Sequence, residues 1–222
     1  MNLSQLFRRC VERAYIHVEN AGDYATDRIG ETLYIYLQAS DGLMDWKNNL
    51  DFPAKPYRRM GHTVWFAHRG FLRVWKSIAP HLEREVMDGS VKRIITVGYS
   101  HGAALAVLCH EDVWYRRPDL RETLEGYGFG CPRVFWGLRT RELMRRWEHF
   151  TVIRNIDDLV THVPPVWLGY SHVGSLLEIG EREKYTAINA HRPQNILAEL
   201  QRWEQKTAAT VQLPLDKITA PC

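Results

Sequence analysis

The segment Arg93–Tyr115, RIITVGYSHGAALAVLCHEDVWY, restricts the possible folds of this chain more than any other. It opens on Ile94-Ile95-Thr96-Val97, β-branched and apolar, the composition of a strand buried on both faces. From Ala103 onward, Ala, Leu and Val recur at helical spacing among strong helix formers. Between the two lies Gly98-Tyr99-Ser100-His101-Gly102, a G-x-S-x-G pentapeptide at a strand-to-helix junction, the context that a nucleophile elbow requires. Such a turn holds its serine in a strained conformation with the hydroxyl pushed out of the sheet. The helix start aims backbone N–H groups at any negative charge that develops beside Ser100. The plain alternative is a Gly-rich turn with Ser100 as an ordinary helix cap. A random G-x-S-x-G arises in about one chain in fifteen of this length, so other residues have to decide.

Composition narrows the classes. The 222 residues suit one α/β domain over 1–222, ending in a loose tail at 207–222. A net charge of +3, from 29 basic and 26 acidic residues, is too even to imply nucleic acid. Arg139, Arg141, Arg145 and Arg146 crowd one stretch, but Glu142 and Glu148 interrupt it, which reads as a solvated face. The longest purely apolar run is Ala103–Cys109, far short of the roughly 20 residues that span a bilayer. Arg8, Arg9, Glu12 and Arg13 stand where the apolar core of a leader would be, so the expectation is a cytoplasmic protein. Export by another route is compatible with that reading. Cys10, Cys109, Cys131 and Cys222 show no C-x-x-C spacing and read as reduced thiols; no metal constellation is legible.

Along the chain, the pattern predicts an N-terminal helix over Leu3–Tyr24 and strands over Thr32–Leu37 and Thr63–Ala67, with a Pro-containing loop through Pro53 and Pro56 between them. A helix over Phe71–Glu85 precedes the elbow. Pro118 opens a short helix, and Tyr127–Pro132 reads as a strand leaving by a tight turn. Arg139–Trp147 is expected to be helical, Phe150–Arg154 and Leu176–Ile179 to be strands, and Pro193–Lys206 to be the last helix. Strands alternating with helices at this spacing give a mostly parallel sheet covered on both faces.

An activated serine needs a base within hydrogen-bond reach and a carboxylate to orient that base. In α/β-hydrolases they follow in the order Ser, Asp or Glu, His, on loops at the carboxyl ends of later strands. Asp158 sits just past the strand Phe150–Arg154, with Asp157 as its competitor. Of the downstream histidines, His162 is too near Asp158 to come from a separate loop, and His172 precedes a strand. His191 follows the last strand and stands at the start of the final helix, which favours it.

Several segments, taken in order, resemble the class 3 (fungal-type) lipase family of α/β-hydrolases over about residues 30–200. Tyr36–Asp41 with Asp45-Trp46 resembles the family's F-R-G-S/T … D/N-W block, and Ala67–Leu72 its V-H-x-G-F-L segment. Val97–Ala106 is similar to T-G-H-S-L-G-G-A-L-A, and Tyr127–Val134 to T-F-G-S-P-R-V. Asn155–Pro165 is similar to N-x-x-D-x-V-P-x-L-P-P, whose Asp falls on Asp158. Tyr170–Gly174 resembles Y-x-H-x-G, and Ala190-His191 falls on the D-H that carries the base. Departures are Gln38 for the usual Arg, Tyr99 for His and His101 for Leu beside the nucleophile, and Asn49 for a frequent Asp.

The resemblance implies an α/β-hydrolase fold, a mostly parallel central sheet with helices on both faces, and a serine carboxylic-ester hydrolase acting on lipid or short-chain acyl esters without a cofactor. It implies Ser100 as nucleophile, His191 as base and Asp158 as its orienting acid. The oxyanion hole would use the backbone N–H of His101 and the N–H and hydroxyl of Ser40. Leu43, Met44 and Trp46 are expected to form a short lid or one wall of an acyl pocket, the other reading being a turn packed inward. A small lid favours short or medium acyl chains and soluble esters, with little interfacial activation; transient contact with a lipid interface is the partnership that the resemblance adds. Phospholipase A1, thioesterase or acyl-transfer activity would use the same triad. A catalytically silent hydrolase fold serving as a binding protein is the rival of a different class.

Overall fold

A computed structural model describes residues 1–18, 22–38, 54–59, 62–137 and 140–211. Helix α1 (Leu3–Glu12) leads into strands β1 (Ile16–His17), β2 (Asp23–Ile29) and β3 (Thr32–Gln38). Strands β4 (Ala54–Arg59) and β5 (His62–His68) precede helix α2 (Arg69–Val86), and β6 (Arg93–Tyr99) precedes α3 (His101–Arg116). Then come β7 (Glu125–Phe129), β8 (Phe135–Trp136), the short α4 (Arg141–Met144) and β9 (Phe150–Asn155). Strands β10 (Tyr170–Ser171) and β11 (Ser175–Ile179) and helix α5 (Pro193–Val211) close the described chain.

The main sheet has seven strands in the order β1-β2-β3-β6-β7-β9-β11. Strands β3, β6, β7, β9 and β11 run parallel, and β1 and β2 add an antiparallel edge. Alternation along the strands sorts the core into two layers, as the period of two demands. Leu33, Ile35, Leu37, Ile94 and Val152 pack with Phe71, Trp75 and Ile78 of α2 and Leu105 and Leu108 of α3. On the other face Tyr36, Ile95, Val97, Phe129 and Ile153 pack with Leu6, Phe7 and Cys10 of α1 and Ile196 and Leu200 of α5. The expected doubly covered, mostly parallel sheet is therefore present. Helices α1 and α5 also clasp each other: the backbone N–H and the hydroxyl of Ser4 both donate to the Glu204 carboxylate, each at 2.8 Å. Among the described residues no helix is long and apolar enough to cross a membrane.

Five expectations need correction. The N-terminal helix stops at Glu12 rather than Tyr24. Arg13 turns extended and its guanidinium grips Asp27 of β2 at 2.7 and 2.9 Å, after which β-branched Ile16 pairs with Tyr24. The segment around Pro56 is strand β4, not loop; as an edge strand, β4 tolerates a residue that cannot donate to a ladder. Strand β5 belongs to a second, antiparallel sheet of order β10-β8-β5-β4 instead of the central one. The helix expected over Arg139–Trp147 is α4 tightened into a 3-10 turn at Arg145–Trp147, and α5 runs on to Val211.

Candidate active site

Strand β6 and helix α3 meet at Ser100, which has φ 58° and ψ −126°. A non-glycine residue in that region costs on the order of 1–3 kcal/mol and persists only where its surroundings enforce it. Here the Ser100 N–H donates to the Phe129 carbonyl at 2.9 Å, and the Ala103 N–H returns to the Ser100 carbonyl at 3.0 Å. Close approach of α3 to the sheet completes the constraint, because a Cβ at Gly102 would fall 2.0 Å from the Leu37 carbonyl oxygen.

The three side chains selected from the sequence meet. Ser100 Oγ lies 2.8 Å from His191 Nε2, and His191 Nδ1 lies 2.7 Å from Asp158 Oδ2. With Nδ1 donating to the carboxylate, Nε2 is left to accept the serine hydroxyl proton. Asp158 and His191 are fully buried. Each comes from a turn at a strand's carboxyl end: Asp158 three residues past β9, and His191 in a 3-10 turn between β11 and α5. The other Asp158 oxygen, Oδ1, accepts the Val160 N–H at 2.9 Å, and its backbone carbonyl accepts the Thr161 hydroxyl at 2.8 Å. No hydrogen bond among the described residues joins Asp157 to His191. His172 Nε2 donates to the Thr161 carbonyl at 2.8 Å, so it steadies the turn that carries Asp158. His101 follows Ser100 directly, its ring 5.0 Å from that of Phe71. Ser40, Leu43, Met44 and Trp46 lie outside the described residues.

Three further residues hold this geometry, and none was assigned such a part from the sequence. Tyr99 stacks on the His191 imidazole, centroids 5.1 Å apart and 23° from parallel, and its hydroxyl donates to the His191 carbonyl at 2.7 Å. Burial, with the Asp158 charge beside it, pushes the Tyr99 phenol up, so it stays a donor. Asn155 is fully buried, and its Nδ2 donates to the Ala190 carbonyl at 3.2 Å, tying the end of β9 to the turn that carries His191. Gly130, at φ +57°, leaves the space the imidazole occupies: a Cβ there would come 2.7 Å from His191 Cε1. A polar residue closing a strand, and a Gly ahead of Cys-Pro, are the only local signs of the last two.

A model for the class 3 lipases, described as Lipase (class 3), matches residues 34–167. This chain belongs to the class 3 lipase family. The lipase of Rhizomucor miehei is 28% identical over 149 residues, 65% of this chain and 40% of that protein. The toxin TseL of Vibrio cholerae is 29% identical over 107 residues, 46% of this chain and 15% of TseL. The chain thus spans less than half the length of these curated relatives. Among solved structures, a fungal lipase in complex with an inhibitor superposes with a TM-score of 0.68 at 22% identity, covering 81% of this chain and 78% of that one. That likeness confirms the α/β-hydrolase fold.

Buried histidines give the family fold an acid sensitivity here. Burial lowers His68 to about 4, with the charge of His101 adding to it, lowers His110 to about 3, and lowers His172 to about 4. Unfolded, each would titrate at its ordinary 6.5, so the unfolded chain binds more protons as the pH falls. Their contribution is complete above about pH 6.5 and is lost progressively towards pH 4, and towards pH 3 for His110. By pH 5 each costs about 2 kcal/mol of unfolding free energy. The urea midpoint is expected to drop markedly between pH 7.5 and 5; an unchanged midpoint would refute the neutral burial of these rings.

Proposed function

We propose that the chain is a serine carboxylic-ester hydrolase that cleaves acyl esters through a covalent acyl-enzyme. The observation that carries this reading is the unbroken line from Ser100 Oγ through His191 to Asp158, at 2.8 and 2.7 Å, behind a serine held in an elbow conformation. In this reaction Ser100 Oγ attacks the ester carbonyl carbon while His191 Nε2 takes the hydroxyl proton. The charge on the tetrahedral oxygen falls beside the start of α3, where the backbone N–H of His101 would donate to it; Ser40 is the proposed second donor. His191 then delivers its proton to the leaving alcohol. Water, deprotonated by the same imidazole, releases the acid and restores the serine. Asp158 keeps the imidazole in the tautomer that presents a bare Nε2 and stabilises the imidazolium. The lipase relatives support an acyl-ester substrate. The test is a fluorophosphonate probe together with a chain-length series of chromogenic esters. Labelling at Ser100 with loss of turnover is expected; turnover that survives full labelling would defeat the reading.

A further inference from the structure

Strand β6 ends on Tyr99, one residue before the serine, at a position where the family pattern carries His. Its ring is held from behind. Phe7 of α1, fully buried, meets it edge to face with 5.6 Å between centroids, and Phe129 of β7 is its register partner across the sheet. Phe7 and Phe129 pack against each other in turn, at 4.8 Å. The phenol hydroxyl is taken up by the His191 carbonyl at 2.7 Å. What remains to the reaction is the face of the ring, and on that face lies the His191 imidazole, 5.1 Å away and 23° from parallel. A Cβ at Gly130 would come within 2.9 Å of both Cε1 and Nδ1 of the imidazole, so the backbone there leaves it little room to slide off the phenol.

Such stacking treats the two forms of the base differently. An aromatic face carries the negative end of a quadrupole and attracts a cation within about 6 Å of its centroid. The neutral imidazole gains only the contact, whereas the imidazolium gains the attraction as well. In the proposed reaction the imidazolium forms when Nε2 takes the proton of Ser100 Oγ and the electron pair of that O–H bond closes on the ester carbonyl carbon. It forms again when water is deprotonated to release the acid. An interaction that strengthens only at those moments raises kcat and leaves KM alone. Tyrosine suits this part better than the histidine of the family pattern would. Burial, with the Asp158 charge beside it, pushes the Tyr99 phenol up, so the ring stays uncharged. Burial also keeps the nearby thiols of Cys10 and Cys131 protonated, so they add no charge to the pair.

From this geometry we infer that Tyr99 is a positioning residue whose ring face holds the imidazole in line with Ser100 and stabilises the positive charge that His191 takes up in each half of the reaction. The inference rests on the ester-hydrolase reading and adds to it a side chain outside the triad that acts through the base.

The experiment replaces Tyr99 in the full chain by Phe, and then by ring-fluorinated phenylalanines of rising fluorine content, which drain the ring face of negative potential while barely changing its shape. Each protein is assayed on a dissolved short-chain chromogenic ester and followed through a thermal melt. Tyr99→Phe keeps the face and loses one hydrogen bond, so kcat should fall by at most about fivefold. Along the fluorinated series kcat should fall stepwise, by about tenfold in all, with KM constant within about twofold and the melts superimposable. Tyr99→Leu, which fills space without a π-face, should lose about tenfold in kcat relative to Tyr99→Phe. If the leucine variant does not fold, the fluorinated series decides alone. A kcat indifferent to fluorination, or an effect confined to KM, would overturn the inference and leave the reaction standing. Failure of the native chain to hydrolyse any ester would instead defeat the reaction, and this inference with it.

Discussion

Ester hydrolysis by the Ser100→Ala variant is expected to fall by about 10⁴- to 10⁶-fold, the loss seen when the nucleophile of a triad that works as one unit is removed. The fold should be untouched. Alanine keeps the Cβ at the elbow and removes only an oxygen whose described partner is His191 Nε2 at 2.8 Å. That nitrogen would then face the substrate side, where water can satisfy it. The backbone bonds that hold the elbow, Ser100 to Phe129 and Ala103 to Ser100, survive the change. Circular dichroism and a thermal melt matching the parent, combined with turnover reduced by that factor, are the expected pair. Turnover within about tenfold of the parent would show that another group attacks the ester.

Gly102→Ala is expected to produce a large loss of stability from a single methyl group. The added Cβ would stand 2.0 Å from the Leu37 carbonyl oxygen and 2.7 Å from its carbon, both backbone atoms of a central strand. Nothing there can swing aside. Helix α3 would have to lift from β3 and β6, opening the layer that buries Ala103, Ala104 and Leu105. Overpacking of this kind costs about 1–3 kcal/mol where side chains can yield, and backbone against backbone belongs at or above the top of that range. At about 2–4 °C per kcal/mol for a chain of this size, the melting temperature should fall by roughly 10 °C. Since the helix start also aims the His101 amide, hydrolysis should decline even in the folded fraction. An unchanged melt would mean that α3 does not sit as close to β3 as described.

What the sequence makes legible is mostly local. Ile94–Val97 followed by G-x-S-x-G and a small-residue helix identifies its own conformation, because every residue agrees with its neighbours about the turn. The order of Ser, Asp and His along the chain narrows the acid to Asp157 or Asp158 and favours His191, and the family resemblance is what selects Asp158. Contacts between distant segments were not legible. Whether Ile16 lies on a helix or a strand depends on Tyr24 and on the Arg13–Asp27 pair, not on its own periodicity. Strand β5 announces itself through Val64, Trp65 and Phe66, yet nothing in those residues tells which of two sheets will receive it. Tyr99 could be noted only as a departure in the elbow. Its stacking on an imidazole 92 positions away is a property of the assembled molecule.

The Ser4–Glu204 clasp reaches further than its own two residues suggest. Helix α5 begins two residues after the imidazole that faces Ser100 and extends for about 28 Å, so it works as a stiff arm with His191 at its near end. Pinning the shaft of that arm to the first turn of α1 restrains its pivoting. The first turn of α1 thus helps to fix the bearing of an imidazole almost two hundred positions downstream.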